Sequence, residues 1–436
     1  MKFGCLASGI AAAIAVFAGC TKSNVNQSRH PSPATFEAID PCAIALAGQR
    51  APDAELARLR AQAQKAADPS PWIERLGWAY VSKARSAFDP GFYNLAEQAA
   101  LCLESKKPGC AEALLLRGHV LHSLHKFKEG EAVARELVAK RGLSYDYGLL
   151  GDVLMEQGKL TDAVDAYQKM MDQKPSPEAY SRAAHMRWLK GDIDGAIELM
   201  TMAAGGASAR DGESAAWMRV RLALYQLQRG DDKQASRVID ETLSVRPDYA
   251  PALLARGRIF LAQDRAADAL EPLRRAAALN PLPEYEWVLS EALRAAGRTD
   301  EAWAVEQKLH QRGEEDDPRT FALYLATRGE DVNTALRLAT KELETRGDVF
   351  TFDALAWALH AAGKDEEARA MMHRALAEGT QDARLQLHAA LILGMPVNGR
   401  QEMLLPSEKK FLSANPALMA GRIDFGATKQ PRQEKQ

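Results

Sequence analysis

A small residue returns along the chain at intervals close to 33: Gly130, Ala163, Ala196, Ala235, Ala269, Ala302, Ala335 and Ala368. Each opens a short apolar stretch that follows a turn. A second small residue precedes it by 12 in most units: Gly118, Gly151, Ala184, Ala223, Gly257, Ser290 and Ala356. Twelve residues hold the rest of one helix, a turn such as Gln157-Gly158-Lys159 or Ala296-Gly297-Arg298, and the entry to the next helix. The pattern predicts a helical hairpin copied about nine times. The two small residues of a unit face each other where antiparallel backbones cross closely, and a leucine at either would force them apart.

Composition agrees with this. At 436 residues and 47% hydrophobic content the chain is long for one compact core, because such cores stop growing near ~250–300 residues. A repeat array escapes that limit. Aromatic content of 7% with abundant alanine suits close-packed helices rather than sheets, so the fold class expected is all-α. A net charge of -2 supplies no basic face for phosphates, and no nucleic-acid partner is expected.

Within residues 144–175 the pair Leu150-Gly151 is followed by Ala163, Tyr167 and Pro175, and residues 250–281 repeat the theme with Gly257, Ala269 and Pro281. These residues resemble the tetratricopeptide repeat, and the resemblance extends over about residues 71–416. It implies a right-handed superhelical solenoid of nine to ten repeats, with the first helix of each hairpin lining the concave face. The solenoid is assigned to residues 51–416, with Asp53 to Ala66 forming a capping helix through Leu56, Leu59, Ala63 and Ala66. Extra length at Lys83–Tyr93, where Asp89-Pro90 starts a helix, and at Gly205–Gly212 reads as loop variation or partner contact. Gly394–Pro406 separates the last helices, and Ser407 is expected to cap a final one ending at Asn415-Pro416. An ankyrin array of the same period is excluded: its hairpin is approximated once, at Gly329–Asn333, and no Thr-Pro-Leu-His opening occurs.

Residues 1–20 run from Lys2 through an apolar stretch, Phe3–Phe17, to Ala18-Gly19-Cys20, the layout of a secretory signal. The stretch is short of the ~20 residues a membrane span needs. Phe17-Ala18-Gly19-Cys20 resembles the bacterial lipobox, with phenylalanine in place of the usual leucine. The resemblance implies lipid on Cys20 as the new first residue. Thr21, where aspartate would retain the protein in the inner membrane, implies delivery to the periplasmic face of the outer membrane. Residues 21–50 read as a flexible tether and 417–436 as a disordered polar tail. In an oxidising periplasm Cys42, Cys102 and Cys110 are available. Cys102 and Cys110, which flank a seven-residue turn, are the candidate disulfide; three free thiols are the alternative.

No phosphate-binding glycine loop, His-Glu-x-x-His or Gly-x-Ser-x-Gly is present, so neither catalysis nor a cofactor is expected. His119 and His122 share a helix face, but further ligands would have to come from a helix ~8–10 Å away, and no metal site is expected. Aligning first helices on their small residue puts His119, His122, Asp152, Met155, His185, Trp188, Leu224, Arg258, Trp287, Glu291, Trp357 and His360 on the concave face. Leu227, Leu254 and Arg294 join them. Aromatic and arginine anchors of this kind fit a protein or peptide ligand. The lysine–asparagine–arginine set that clamps a terminal carboxylate pair in some members is missing.

The function expected is a non-enzymatic scaffold, tethered to the membrane by N-terminal lipid and binding a partner protein or extended segment in its groove. The alternative is a promiscuous chaperone or assembly factor for secretion, pilus or cell-wall machinery. It would use adaptable methionines at Met170-Met171, Met200–Met202 and Met371-Met372.

Overall fold

The computed structural model describes residues 40–47, 53–208, 211–397 and 400–415. The signal and lipid site expected within residues 1–39, Cys20 among them, and the tail expected beyond residue 415 lie outside the described residues. Helices α1 (Pro41–Ala47) and α2 (Ala54–Lys65) lead into nine antiparallel pairs. The first five are α3 (Ser70–Ala87) with α4 (Gly91–Lys106), α5 (Ala111–Ser123) with α6 (Phe127–Lys140), α7 (Ser144–Glu156) with α8 (Leu160–Gln173), α9 (Pro177–Leu189) with α10 (Ile193–Gly206), and α11 (Gly212–Arg229) with α12 (Asp232–Val245). There follow α13 (Ala250–Ala262) with α14 (Ala266–Leu279), α15 (Pro283–Ala295) with α16 (Thr299–Asp316), α17 (Pro318–Arg328) with α18 (Val332–Glu342), and α19 (Val349–Ala361) with α20 (Asp365–Leu376). Helix α21 (Ala383–Leu393) and a short α22 (Pro406–Ala414) finish the array.

The periodic small residues are the crossing points. Ala163, Ala196, Ala235, Ala269, Ala302, Ala335 and Ala368 are all completely buried. A side chain on Gly151 would strike the Tyr167 ring, and one on Gly257 would strike Leu273, so the approach of paired helices depends on their absence. Starts are fixed by capping: Asp53, Ser176, Asp192, Asp211, Asp231, Asp317, Asp348 and Asp382 each accept a backbone N–H of the helix they precede. The final helix is an exception to expectation. It begins at Pro406, and the Glu408 carboxylate accepts from Leu405 N at 2.7 Å, so Ser407 is not its cap.

Two expectations fail at the N-terminal end. The tether assigned to residues 21–50 gives way at Pro41–Ala47 to helix α1, whose Cys42 and Ala45 are buried and which receives the Tyr80 hydroxyl on the Ala45 carbonyl at 2.8 Å. The disulfide joins Cys42 to Cys102, not Cys102 to Cys110; Cys110 is a free, buried thiol. Packing of α1 on α4 brings the Cα atoms of Cys42 and Cys102 within 4.6 Å, a separation a disulfide requires.

The array also coils far enough to meet itself. The turn between α7 and α8 touches the segment before α19, where Gly347 N donates to the Glu156 carbonyl at 3.1 Å. One hairpin on, the Thr380 hydroxyl donates to the Leu189 carbonyl at 2.5 Å and Lys190 pairs with Glu378 at 2.7 Å. Arg400 reaches Asp232, Lys409 reaches Asp264, and Lys128 donates to the Glu344 carbonyl. These contacts form a continuous seam between residues 128–264 and residues 344–409.

Candidate functional site

Odd-numbered helices line the concave side, and their burial changes along the array. Helix α3 buries one stripe, Ile73, Leu76, Gly77, Tyr80, Val81 and Ala84, as a helix with one wet face must. Every residue from Tyr285 to Leu293 in α15, from Phe321 to Thr327 in α17 and from Thr351 to Leu359 in α19 is buried. A helix covered on all sides has its concave face occupied. The occupant is this chain.

Four expected partner contacts are therefore corrected. Trp188 is 7% exposed and stacks on Phe350 of α19 with ring centres 5.4 Å apart; its indole N–H donates to Gln228. Trp287, 1% exposed, lies under the Arg384 guanidinium of α21, 4.6 Å from the ring centre. Glu291 accepts from Ser407 N of α22 at 2.9 Å. Trp357 stacks on His388 at 4.2 Å, meets Phe411 of α22 edge to face, and donates to Thr327 at 3.0 Å. Three further residues are tied to near neighbours: Arg258 pairs with Glu284 at 2.7 Å, His360 bonds Asp365 at 3.1 Å, and Leu224 packs against the core.

The remaining expected residues are half-buried on α5, α7 and α9, next to side chains of α3, α8 and α11. Asp152 takes a two-pronged contact from Arg182 at 2.7 and 2.6 Å and the Tyr167 hydroxyl at 2.9 Å. Burial pushes the Asp152 carboxyl up, and the guanidinium outweighs it, holding the group below the usual carboxylate range. The Met155 sulfur receives the same hydroxyl at 3.8 Å. His119 sits 2.5 Å from Arg85 and beside the Trp78 ring. His185 contacts the Tyr225 hydroxyl at 3.2 Å and Arg221 at 3.3 Å. Burial, then the adjacent arginine, pushes both His119 and His185 down to about 3, so both are neutral at pH 7. The His122 ring lies edge-on to Phe127 instead of pointing with His119 at a common centre. Among the described residues no group of three or more His, Cys, Asp or Glu is placed to hold a metal.

Sequence reasoning missed Arg85, Arg182 and Arg221, the guanidinium groups that contact His119, Asp152 and His185. Arg182 and Arg221 each stand two residues before the small residue of their helix, a position left out of the alignment. Arg85 contacts His119, and Arg221 contacts His185 and the Tyr225 hydroxyl. What the arrangement offers is donors, neutral imidazoles and aromatic faces, with no nucleophile set against a base.

The tetratricopeptide repeat family model matches residues 149–212 and 220–283. No curated protein matches the chain in sequence. Among solved structures it is similar to the APC/C hetero-tetramer Cut9-Hcn1, with TM-score 0.46 and 15% identity over 76% of this chain and 56% of that one. It thus spans little more than half of that relative's length. The human IFIT1 dimer with PPP-AAAA gives TM-score 0.48 and 15% identity over 74% of this chain and 77% of that one. Pseudomonas aeruginosa PilF gives 0.40 and 11%, over 50% and 96%. The two matched stretches thus lie inside an all-helical solenoid of paired helices, and each covers two of its hairpins in part or whole.

Proposed function

We propose that this solenoid is a non-enzymatic scaffold of a bacterial envelope, anchored by lipid on Cys20 at the periplasmic face of the outer membrane, and that it holds a partner protein or extended segment on its concave side. The observation that carries the location is the Cys42–Cys102 disulfide, since such bonds persist in oxidising compartments and are rare in reducing ones. It agrees with the secretory layout of residues 1–20. The partner surface is the part of the concave face that the chain leaves wet, around Trp78, Arg85, His119, Arg182 and Arg221. The promiscuous alternative has less support, because Met170, Met200 and Met372 are completely buried and serve the core.

Two experiments test this. Cys20→Ser should move the protein from the membrane to the soluble fraction, and retention in the membrane would sink the anchor. Crosslinking in the native host should capture one dominant partner with the wild type and lose it with Arg85→Ala/Arg221→Ala. An unchanged spectrum of many weak partners would favour the chaperone reading.

A further inference from the structure

The groove formed by α15, α17, α19 and α21 already contains a ligand-like helix. Residues 400–414 lie across the concave face, against the odd-numbered helices α15 and α17. Arg400 bonds Asp232 at 3.1 Å, beyond the end of α11. Helix α22 then lies against α15 and α17. Its contacts are those of a bound amphipathic helix. Leu405 and Leu412 are buried, Phe411 packs edge-on to Trp357 at 5.5 Å, and Glu408 is 1% exposed against Arg384. Its first turn is held by Glu291, and Lys409 bridges to Asp264 at the rim at 3.1 Å. The fit is incomplete at one point: the buried Ser407 hydroxyl has no hydrogen-bond partner.

We infer that α22 is a resident occupant of a helix-binding groove, and that the groove's external ligand is an amphipathic helix of the same chemistry, a carboxylate one turn ahead of an aromatic–leucine pair. The observed occupant argues for that chemistry. Trp287, Glu291, Trp357 and Arg384 supply an apolar floor, an acceptor for the helix's first N–H groups and a cation for its acid. An apolar helix laid in a groove is read through such i, i+3, i+4 anchors. A segment already in place reduces the apparent affinity for a competitor by the fraction of molecules in which the groove is open. This rests on the reading of the chain as a protein-binding scaffold, but its test uses a defined peptide, so it stands or falls apart from any search for a native partner.

The probe is a fluorescein-labelled peptide with the sequence of residues 404–415, titrated by anisotropy against full-length wild type and against Phe411→Ala/Leu412→Ala. The variant should bind the peptide at least tenfold more tightly than wild type, and a peptide carrying Glu408→Gln should lose most of that gain. Equal or absent binding to a variant with native helicity overturns the inference. Hydrogen exchange on the wild type gives a second reading independent of whether the variant folds. Amides of α22 should exchange at least tenfold faster than those of α13 and α15, and equal protection overturns the proposal.

Discussion

Gly158 and Gly347, almost 190 residues apart in sequence, meet backbone to backbone: a β-carbon on either would run into the peptide of the other's segment. Gly158 also needs its left-handed φ of 73° to turn α7 into α8. Gly347 has no such requirement, so a side chain there reports on the seam alone. Gly347→Val is expected to destabilise the protein by about 1–3 kcal/mol, as overpacking does. Amides of residues 156–158 and 347–350 should lose protection together, and unchanged exchange in the first segment would show that the seam carries no stability.

Reducing the Cys42–Cys102 bond opens a cross-link between residues 60 apart, and Cys102→Ser is expected to lose about 4 kcal/mol by loop entropy. Alkylation of a soluble form beginning after Cys20 should label no thiol when native and one, Cys110, in denaturant without reductant. Labelling of Cys42 under the latter condition would refute the pairing.

The half-buried histidines His119 and His185 make the fold acid-sensitive. His119 and His185 are held near 3 in the folded state, against the ordinary histidine value of 6.5. The unfolded chain therefore binds the extra protons between those values. Stability is full above about pH 6.5 and falls as pH drops through that window, by roughly 1–2 kcal/mol per histidine between pH 7 and 5. Urea titrations at pH 7 and pH 5 measure this. His119→Gln and His185→Gln should each flatten the slope, and a slope unchanged in both would remove them as its cause.

Asp152 acts in the opposite range. Its carboxyl is held low by Arg182, so its contribution is present above its unfolded value near 3.8 and disappears only below it. Asp152→Asn leaves a recessed guanidinium without its counter-charge and is expected to destabilise by about 2–3 kcal/mol at pH 7. The double variant Asp152→Asn/Arg182→Met should recover part of that loss.

Tryptophans separate core from surface. Trp287→Ala should lose about 3–5 kcal/mol, whereas Trp303→Ala, at a position 60% exposed on α16, should stay within about 0.5 kcal/mol. Similar losses at both positions would contradict the burial described.

Local features were legible in the sequence. The spacing of Leu56, Leu59 and Ala63 marked α2 within a residue of its ends, and the periodic alanines marked the crossings, because both depend on neighbours three to twelve positions away. The groove was misread for the converse reason. Trp188 is covered by Phe350, and Trp357 by His388 and Phe411, through coiling that no local pattern encodes. Proximity in sequence also misled at the cysteines: Cys110 is near Cys102 along the chain, but α1 returns to α4 and takes the partner.

The seam changes how the molecule would bear a load. An open array of repeats is nearly one-dimensional and lengthens unit by unit when its ends are drawn apart. Here Gly347 on Glu156, Thr380 on Leu189 and Lys190 on Glu378 stitch successive coils together and are strained in parallel. Pulled from its ends, the chain resists as a locked spring, stiff until the stitches shear as a group, and only then do its hairpins pay out.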